Sequence, residues 1–320
     1  MQQVALIYNP ASGQYSARRM AAVESALATL RAAGVQVDAL ECKLPEDATA
    51  HAEEAVRKGC DTVLACGGDG TVHAILQSMV GTHVALGVLP LGTANALAAS
   101  LGLTGNLAGV AQTLLTAVPT RIPVGRIHFK DGAGDAAARY FIVAAGVGAD
   151  ALLMSRLDPG LKRRFGYALY LVEAARIWAT NAFPLFVASI ATEDGDASGG
   201  NASRVEISQL LVARVRSFGG AINELVPGAT LRSESLHLMA VKTRSRLRYM
   251  RFLIALLLGR HTFYDGIELI ETAAVECRAR NGSTTPIFVE ADGEVLGTLP
   301  VRIEVVADAL TLLIPADARP

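Results

Sequence analysis

The sequence predicts an α/β chain of two domains, a parallel α/β domain followed by an antiparallel, β-sandwich-like one. Three observations predict it. Up to about residue 120, short apolar runs alternate with stretches of helical period; glycines close those stretches; and past "TRIPVGRIHF" the rhythm changes to β-type runs separated by turn-rich segments. With 320 residues, 51% of them hydrophobic, the chain is long enough to bury two cores.

The first strand reads "VALIY", and a helical pattern follows from Ser16 to Ala33. Gly34 stops it, because glycine adopts the left-handed cap conformation at no steric cost. "VQVDAL" is the second strand, Pro45 to Lys58 the second helix with Gly59 as its stop, and "DTVLA" the third strand. A helix from Thr71 and the strand "VALGVL" complete the series. Such alternation implies right-handed crossovers and a parallel sheet covered on both faces. Pro119 and Pro123 bracket a short connection, which sets the domains at 1–121 and 122–320.

The second domain carries the runs "RYFIVAAGVG", "PLFVASIAT", "SRVEISQLLVARV", "LHLMAVK" and "IELIETAAVECRAR". Two helical patterns interrupt them, Leu161 to Ala179 and Ser245 to Leu258, and the last strands are free to pack back on either domain.

A net charge of −1 provides no global field for nucleic acid, so a charged partner must meet a local patch. The four cysteines, Cys42, Cys60, Cys66 and Cys277, form no CxxC pair in a chain too large to need staples, which fits buried thiols in a reducing compartment. The six histidines show no HxH or HExxH spacing, so any metal should be hard and oxygen-bound. "MQQVALIYNP" reads as a first strand rather than a signal peptide, and "FLIALLLG" is far below the roughly 20 residues that span a bilayer.

The chemistry concentrates in "DTVLACGGDGTVHAIL". In a parallel sheet the loops at the carboxyl ends of strands bind ligands, and a glycine-rich turn leading into a helix N-terminus suits phosphate. Gly67, Gly68 and Gly70 permit close approach, and Thr71 is placed to cap or begin the helix. Neither GxxxxGK[ST] nor GxGxxG is present. Asp69 is the unusual residue, since a carboxylate facing phosphates is repulsive unless it meets a metal ion or a substrate hydroxyl. Kinases need such a carboxylate. The alternative is a plain glycine turn with Asp69 as helix cap.

Two more glycine loops follow other strands, "YNPASG" from Tyr8 to Gly13 and "LPLGTANALAASLGL" from Leu89 to Leu103. In the order NPxSG, GGDGT, LPxGTxN the sequence resembles the diacylglycerol kinase catalytic-domain family, which includes soluble bacterial lipid kinases, sphingosine kinases and ceramide kinases. NAD kinases and phosphofructokinases are more distant kin. "AAGVGADALL", "LKRRFGYALYLVEAAR", "VPGATLRSESLHLMAV" and "VEADGEVLG" extend the resemblance along the whole chain.

The resemblance implies an NAD kinase/phosphofructokinase-like nucleotide-binding domain with ATP in a cleft beside a β-rich lipid-substrate domain. Asn9, Ser12 and Gly13 would contact the nucleotide, Gly67, Gly68, Asp69, Gly70 and Thr71 would cradle its phosphates, and Gly92, Thr93 and Asn95 would complete the site. Asp69 would lie near Mg²⁺ and the transferred group, and Glu294 would be the proton acceptor with Asp292 beside it. The plain reading of "DG" there is a hairpin turn. Relatives commonly carry Glu where this chain has Ala74, Asp where it has Ala96, and Asp-Gly where it has Glu234-Ser235, which puts the acceptor's identity and a structural Mg²⁺ site in doubt.

The implied activity is ATP-dependent transfer of the γ-phosphate to a hydroxyl of diacylglycerol or a related lipid, in phospholipid biosynthesis. "KTRSRLRYMR" with the following apolar stretch, Tyr249 and Phe252 included, can rest on an anionic membrane surface, and Lys162, Arg163 and Arg164 form a second basic cluster. The plain reading is a core helix with a solvated basic face. The expected location is cytoplasmic, peripheral at the inner face of the membrane, with a homodimer as one open arrangement. Two other readings stay open, an NAD kinase-like enzyme with a soluble substrate and an inactive nucleotide-binding sensor.

Overall fold

The computed structural model describes residues 1–10, 17–156, 167–191, 203–216, 225–257, 260 and 265–318. The chain divides into two compact units, one holding Met1–Val124 together with the stretch from Ala307, the other holding Gly125–Arg216 and 225–306. The first cut falls three residues after the expected position, and the C-terminal stretch returns to the first unit.

The first unit runs β1 (Gln3–Tyr8), α1 (Ala17–Ala32), β2 (Gln36–Glu41), α2 (Pro45–Arg57), β3 (Thr62–Gly67), α3 (Asp69–Met79), β4 (Ala85–Pro90), α4 (Ala96–Ser100), α5 (Leu107–Leu115) and the start of β5 (Val118–Lys130). Its strands lie in the order β2-β1-β3-β4, all parallel, and β16 (Val301–Ile314) adds beside β4 through Thr311 and Leu312. Every residue of β3 is buried. A parallel strand covered on both faces reads as a continuous apolar run rather than an alternation, as "DTVLA" does. Helix α1 packs on α5 and α2 on α3. Gly34 and Gly59 take φ of 82° and 75°, the left-handed stops anticipated for the first two helices.

This strand order reverses direction at β1, whose neighbours are β2 on one side and β3 on the other. The loops leaving β1 and β3 therefore flank a switch point, the crevice that ligands occupy in open α/β sheets. Helices α4 and α5 carry little sequence signal: α4 is only five residues long, and α5 is capped by Asn106, whose side chain accepts the Gly109 N–H at 2.8 Å.

The second unit contains β6 (Ala136–Phe141), β7 (Ala144–Gly148), α6 (Ala149–Arg156), α7 (Tyr167–Thr180), β8 (Phe186–Ile190), β9 (Ser203–Ile207), β10 (Gln209–Ala213), β11 (Leu236–Val241), α8 (Arg246–Leu257), β12 (Ile267–Thr272), β13 (Ala274–Ala279), β14 (Phe288–Ala291) and β15 (Glu294–Thr298). One antiparallel sheet has the order β12-β11-β10-β7-β14-β15. The facing strands are β13, β8 and β9 with the first half of β16, and β5 paired to β6. Phe141, Val147, Phe186, Leu238, Val275, Val289 and Ile303 share the core between them.

Three runs that read as single strands are each two. "RYFIVAAGVG" breaks at Ile142 and Val143, "SRVEISQLLVARV" at Ser208, and "IELIETAAVECRAR" at Ala273, and in each case the halves belong to different sheets. A chain passing from one sheet to the other stays beside the same core, and none of the three breaks carries the Gly, Pro, Asn or Asp that marks a turn. Hydroxyls serve two of the breaks: Ser208 Oγ donates to the Val241 carbonyl at 3.2 Å, and Thr272 Oγ1 lies 3.0 Å from the carbonyls of Ala191 and Ala274.

Candidate functional site

In the first unit, β3 ends at Gly67, and Gly68 (φ −93°, ψ −174°) caps α3, whose first residue is Asp69. The sequence places Thr71 to cap or begin the helix, and it does neither. It lies buried in the first turn, because the Gly68 carbonyl already accepts the N–H groups of Thr71 and Val72 at 3.0 and 3.2 Å. The Asn9 N–H donates to the Cys66 carbonyl at 3.1 Å, which ties the loop after β1 to the end of β3.

The third loop leans on the second through bare backbone. A Cβ on Gly92 would lie 2.5 Å from the Gly68 Cα, and one on Gly67 would run into the Thr71 side chain. The Gly67 carbonyl accepts the N–H groups of Leu91 and Gly92 at 2.9 and 3.2 Å. Asn95, in the left-handed region at φ 50°, accepts the Gly92 N–H at its Oδ1 and donates from Nδ2 to the Gly92 carbonyl, both at 2.9 Å. Asp69 closes the arrangement, with Oδ2 accepting the Asn95 N–H at 3.0 Å and Oδ1 the Ala96 N–H at 2.7 Å. Asn9, Gly67, Gly68, Asp69, Gly70, Thr71, Gly92, Thr93 and Asn95 thus surround one sheet edge, whereas Ser12 and Gly13 lie outside the described residues.

At this edge glycine serves the packing of two loops against each other. Gly68, Asp69, Gly70 and Gly92 remain partly exposed, and Thr93 is exposed. The carbonyl of Ala74, buried on α3, accepts the Thr49 hydroxyl, and Ala96 gives its N–H to Asp69.

In the second unit Asp292 and Gly293 join β14 to β15 with φ of 49° and 85°, the two positive values of a tight hairpin turn. The Asp292 carboxylate accepts three backbone N–H groups, Ile142 at 3.0 Å, Val143 at 2.8 Å and Ala144 at 3.0 Å, and its own N–H donates to the Ala144 carbonyl at 2.8 Å. It therefore locks the turn to the break between β6 and β7. Glu294, the first residue of β15, projects exposed beside this locked turn.

Sequence reasoning missed two acids behind the turn. Glu290 is 5% exposed on β14, opposite Gly146 on β7, and its Oε2 accepts the Gly293 N–H at 2.7 Å. Asp150, on α6, directs its carboxyl to the same place. Burial and the neighbouring Asp150 push the Glu290 carboxyl well above the usual range, and burial pushes Asp150 up to about 6. The signal was Gly146, an unexplained glycine in an apolar strand.

Elsewhere, Arg214 is fully buried, giving hydrogen bonds to the carbonyls of Leu231, Ser233 and Ser235, and burial pulls its pKa down to about 10. It braces the segment where Glu234 stands exposed. All four cysteines are buried and free. Tyr249 and Phe252, expected at a membrane interface, are instead buried, with Tyr249 stacked on Phe183 at 4.5 Å. The outer face of α8 carries exposed Leu247, Arg248, Arg251 and Ile254. Lys162, Arg163 and Arg164 lie outside the described residues. No helix among the described residues is long and apolar enough to cross a membrane.

Comparison with known proteins matches residues 3–127 to the diacylglycerol kinase catalytic domain and residues 142–314 to the YegS C-terminal NAD kinase beta sandwich-like domain. The chain belongs to the diacylglycerol kinase catalytic-domain family. It is 29% identical to a diacylglycerol kinase of Mycobacterium tuberculosis, covering 98% of this chain and 95% of that one, and 26% identical to one of Bacillus subtilis over 94% and 92%. Among solved structures it is similar to a diacylglycerol kinase from Bacillus anthracis (TM-score 0.73, 21% identity, 98% and 97% covered). It is also similar to yeast NADH kinase complexed with NADH (TM-score 0.53, 12% identity, 99% and 84% covered). Both share its fold, an α/β domain followed by an antiparallel sandwich.

Proposed function

We propose that the protein is an ATP-dependent lipid kinase that transfers the γ-phosphoryl group to a hydroxyl of diacylglycerol or a related lipid. The observation that carries this reading is the corner at the end of β3, where Asp69 stands at the N-terminus of α3 with side-chain-free backbone at Gly68 and Gly92 around it. The partly exposed N-terminus of α3 offers a positive dipole end and backbone donors, which fits the phosphates of ATP.

Asp69 fits Mg²⁺ as a single carboxylate ligand or water-bridged neighbour, being a partly exposed hard oxygen donor at the N-terminus of α3. Mg²⁺ arrives with the phosphates and needs only one or two protein carboxylates; bound there, it would neutralise charge on the transferred group. Asn9, Thr93 and Asn95 would orient the nucleotide. Glu294 would take the proton from the attacking lipid hydroxyl, held in place by the turn that Asp292 locks. Lipid access would be from an anionic membrane on which α8 rests Leu247 and Ile254, with Arg248 and Arg251 toward the headgroups.

The test is phosphoryl transfer from labelled ATP with Mg²⁺ to diacylglycerol, monoacylglycerol, sphingoid base, ceramide and phosphatidylglycerol in mixed micelles. Transfer to one of these lipids, lost in Glu294→Gln, is the expected result. Transfer to NAD with no lipid product, or tight ATP binding with no transfer to any lipid, overturns it.

A further inference from the structure

The pair of acids behind the β14–β15 turn is used by none of the steps above. Glu290 Oε1 lies 2.8 Å from the point where a side chain on Gly146 would begin, and Asp150 Cγ lies 2.8 Å from that same point, with Asp150 Oδ2 still closer. Both carboxyl groups thus reach into the space left by an absent side chain. Asp150 Oδ1 is buried with no hydrogen-bond partner. The other groups acting on the pair are Asp292, whose charge also opposes ionisation of Glu290, and Tyr249 on α8, whose hydroxyl donates to Gln209 on β10 and whose own ionisation the Asp150 charge opposes. Asp292 acts against a second negative charge, while the backbone N–H groups of Asp150 and Ala151 favour ionised Asp150 and that of Gly293 favours ionised Glu290.

Two carboxyl groups so placed cannot both ionise cheaply, and they retain a proton in common to a pH above the ordinary carboxylate range. Glu290 meanwhile holds the Gly293 N–H with its other oxygen. Gly293 is the residue immediately before Glu294, so whatever moves Glu290 moves the start of β15.

We infer that Glu290 is a positioning residue: paired with Asp150 through one shared proton, it fixes the Asp292–Gly293 turn and through it the direction of Glu294. Loss of that proton at alkaline pH places two negative charges over Gly146, drives Glu290 from the turn, and lets Glu294 swing. The role of Glu294 as proton acceptor rests on the proposed lipid-kinase function, whereas the hold of Glu290 on the turn does not.

The experiment therefore reads the turn first. Amide exchange at Gly293 in the full chain should rise about tenfold in Glu290→Ala, the equivalent of one lost hydrogen bond to a buried acceptor, and stay near the wild-type rate in Glu290→Gln, whose amide oxygen still accepts. The wild-type protection factor at Gly293, which is exchange corrected for its base-catalysed intrinsic rate, should fall toward pH 9, with no such fall in Glu290→Gln. Infrared spectra should contain one protonated carboxyl band in the wild type at pH 7 that is absent from both Glu290→Gln and Asp150→Asn. With lipid transfer as readout, kcat should fall about tenfold in Glu290→Ala at unchanged KM for ATP, recover in Glu290→Gln, and lose its alkaline decline there. Unchanged Gly293 exchange in Glu290→Ala, or a carboxyl band that survives both conservative variants, overturns the inference. A wild type that transfers phosphate to no lipid sinks the lipid-kinase reading alone, because exchange and infrared spectra still decide this one.

Discussion

Asp69 binds the start of one helix to the start of another, since its Oδ1 accepts the Ala96 N–H at 2.7 Å from the first turn of α3 to the first residue of α4. With Oδ2 on the Asn95 N–H, this carboxylate shapes the third loop. Asp69→Asn turns one acceptor into a donor facing an N–H, so it should cost about 1–3 kcal/mol in urea unfolding and abolish transfer in a chain that still folds. Wild-type-like turnover in that variant would remove Asp69 from the chemistry.

Gly68 and Gly92 touch, yet they should tolerate change differently. A methyl group on Gly92 meets the Gly68 Cα at 2.5 Å and should destabilise by about 1–3 kcal/mol while loosening the third loop. One on Gly68 meets the Gly92 Cα at an ordinary 3.4 Å, so Gly68→Ala should stay within about 0.5 kcal/mol of wild type. Weaker ATP binding in Gly68→Ala at unchanged stability, measured by calorimetry, would mark the backbone there as phosphate-facing.

Asp292 and Glu294 are two residues apart and should separate cleanly. Asp292→Ala leaves three backbone N–H groups at the β6–β7 break without their acceptor and should lose at least about 2 kcal/mol of stability. Glu294→Gln, at an exposed strand end, should unfold within about 0.5 kcal/mol of wild type and lose lipid transfer. Equal stability losses in the two variants would contradict this division of labour.

The Asp150–Glu290 pair also predicts a pH dependence. Both carboxyls are raised in the folded state, Asp150 to about 6 and Glu290 well above its ordinary value, so the native chain binds more protons than the unfolded one. Their stabilisation is complete below the unfolded values near pH 4 and is lost as pH rises through the folded ones. Asp61 and Glu304, both lowered, act oppositely and lose their contribution as pH falls through their folded values. Unfolding free energies at pH 5 and pH 8 should differ less in Glu290→Gln than in wild type.

For membrane contact, Arg251→Glu combined with Ile254→Ser should weaken binding to anionic vesicles by at least about tenfold, each basic residue contributing roughly 1 kcal/mol near such a surface. The loss should shrink at high salt, and binding to neutral vesicles should change little. Equal binding of wild type and variant to anionic vesicles would leave α8 without that role.

What was legible from the residues follows from what periodicity reports. The α/β alternation, its glycine stops and the buried third strand are local properties, and they appear where expected. The sandwich was legible as a class, but its strands were not, because the runs through Ile142, Ser208 and Ala273 carry no Gly, Pro, Asn or Asp turn signal where they cross between sheets. Helices α4 and α5 were missed because one is a five-residue turn held by Asp69 and the other depends on a single Asn106 cap.

By itself the sequence determined the fold class and the three glycine loops, since periodicity and spacing carry those directly; residue type singled out Asp69, and Asp292 and Glu294 came only from the family resemblance. Only the tertiary structure decided what each group spends its hydrogen bonds on: Asp69 on α4, Asp292 on a strand break about 150 residues away, and Glu290 on the turn before Glu294. Partners so distant in the chain leave no mark on local pattern. They are chosen when folding brings an unsatisfied N–H and a carboxylate to the same place.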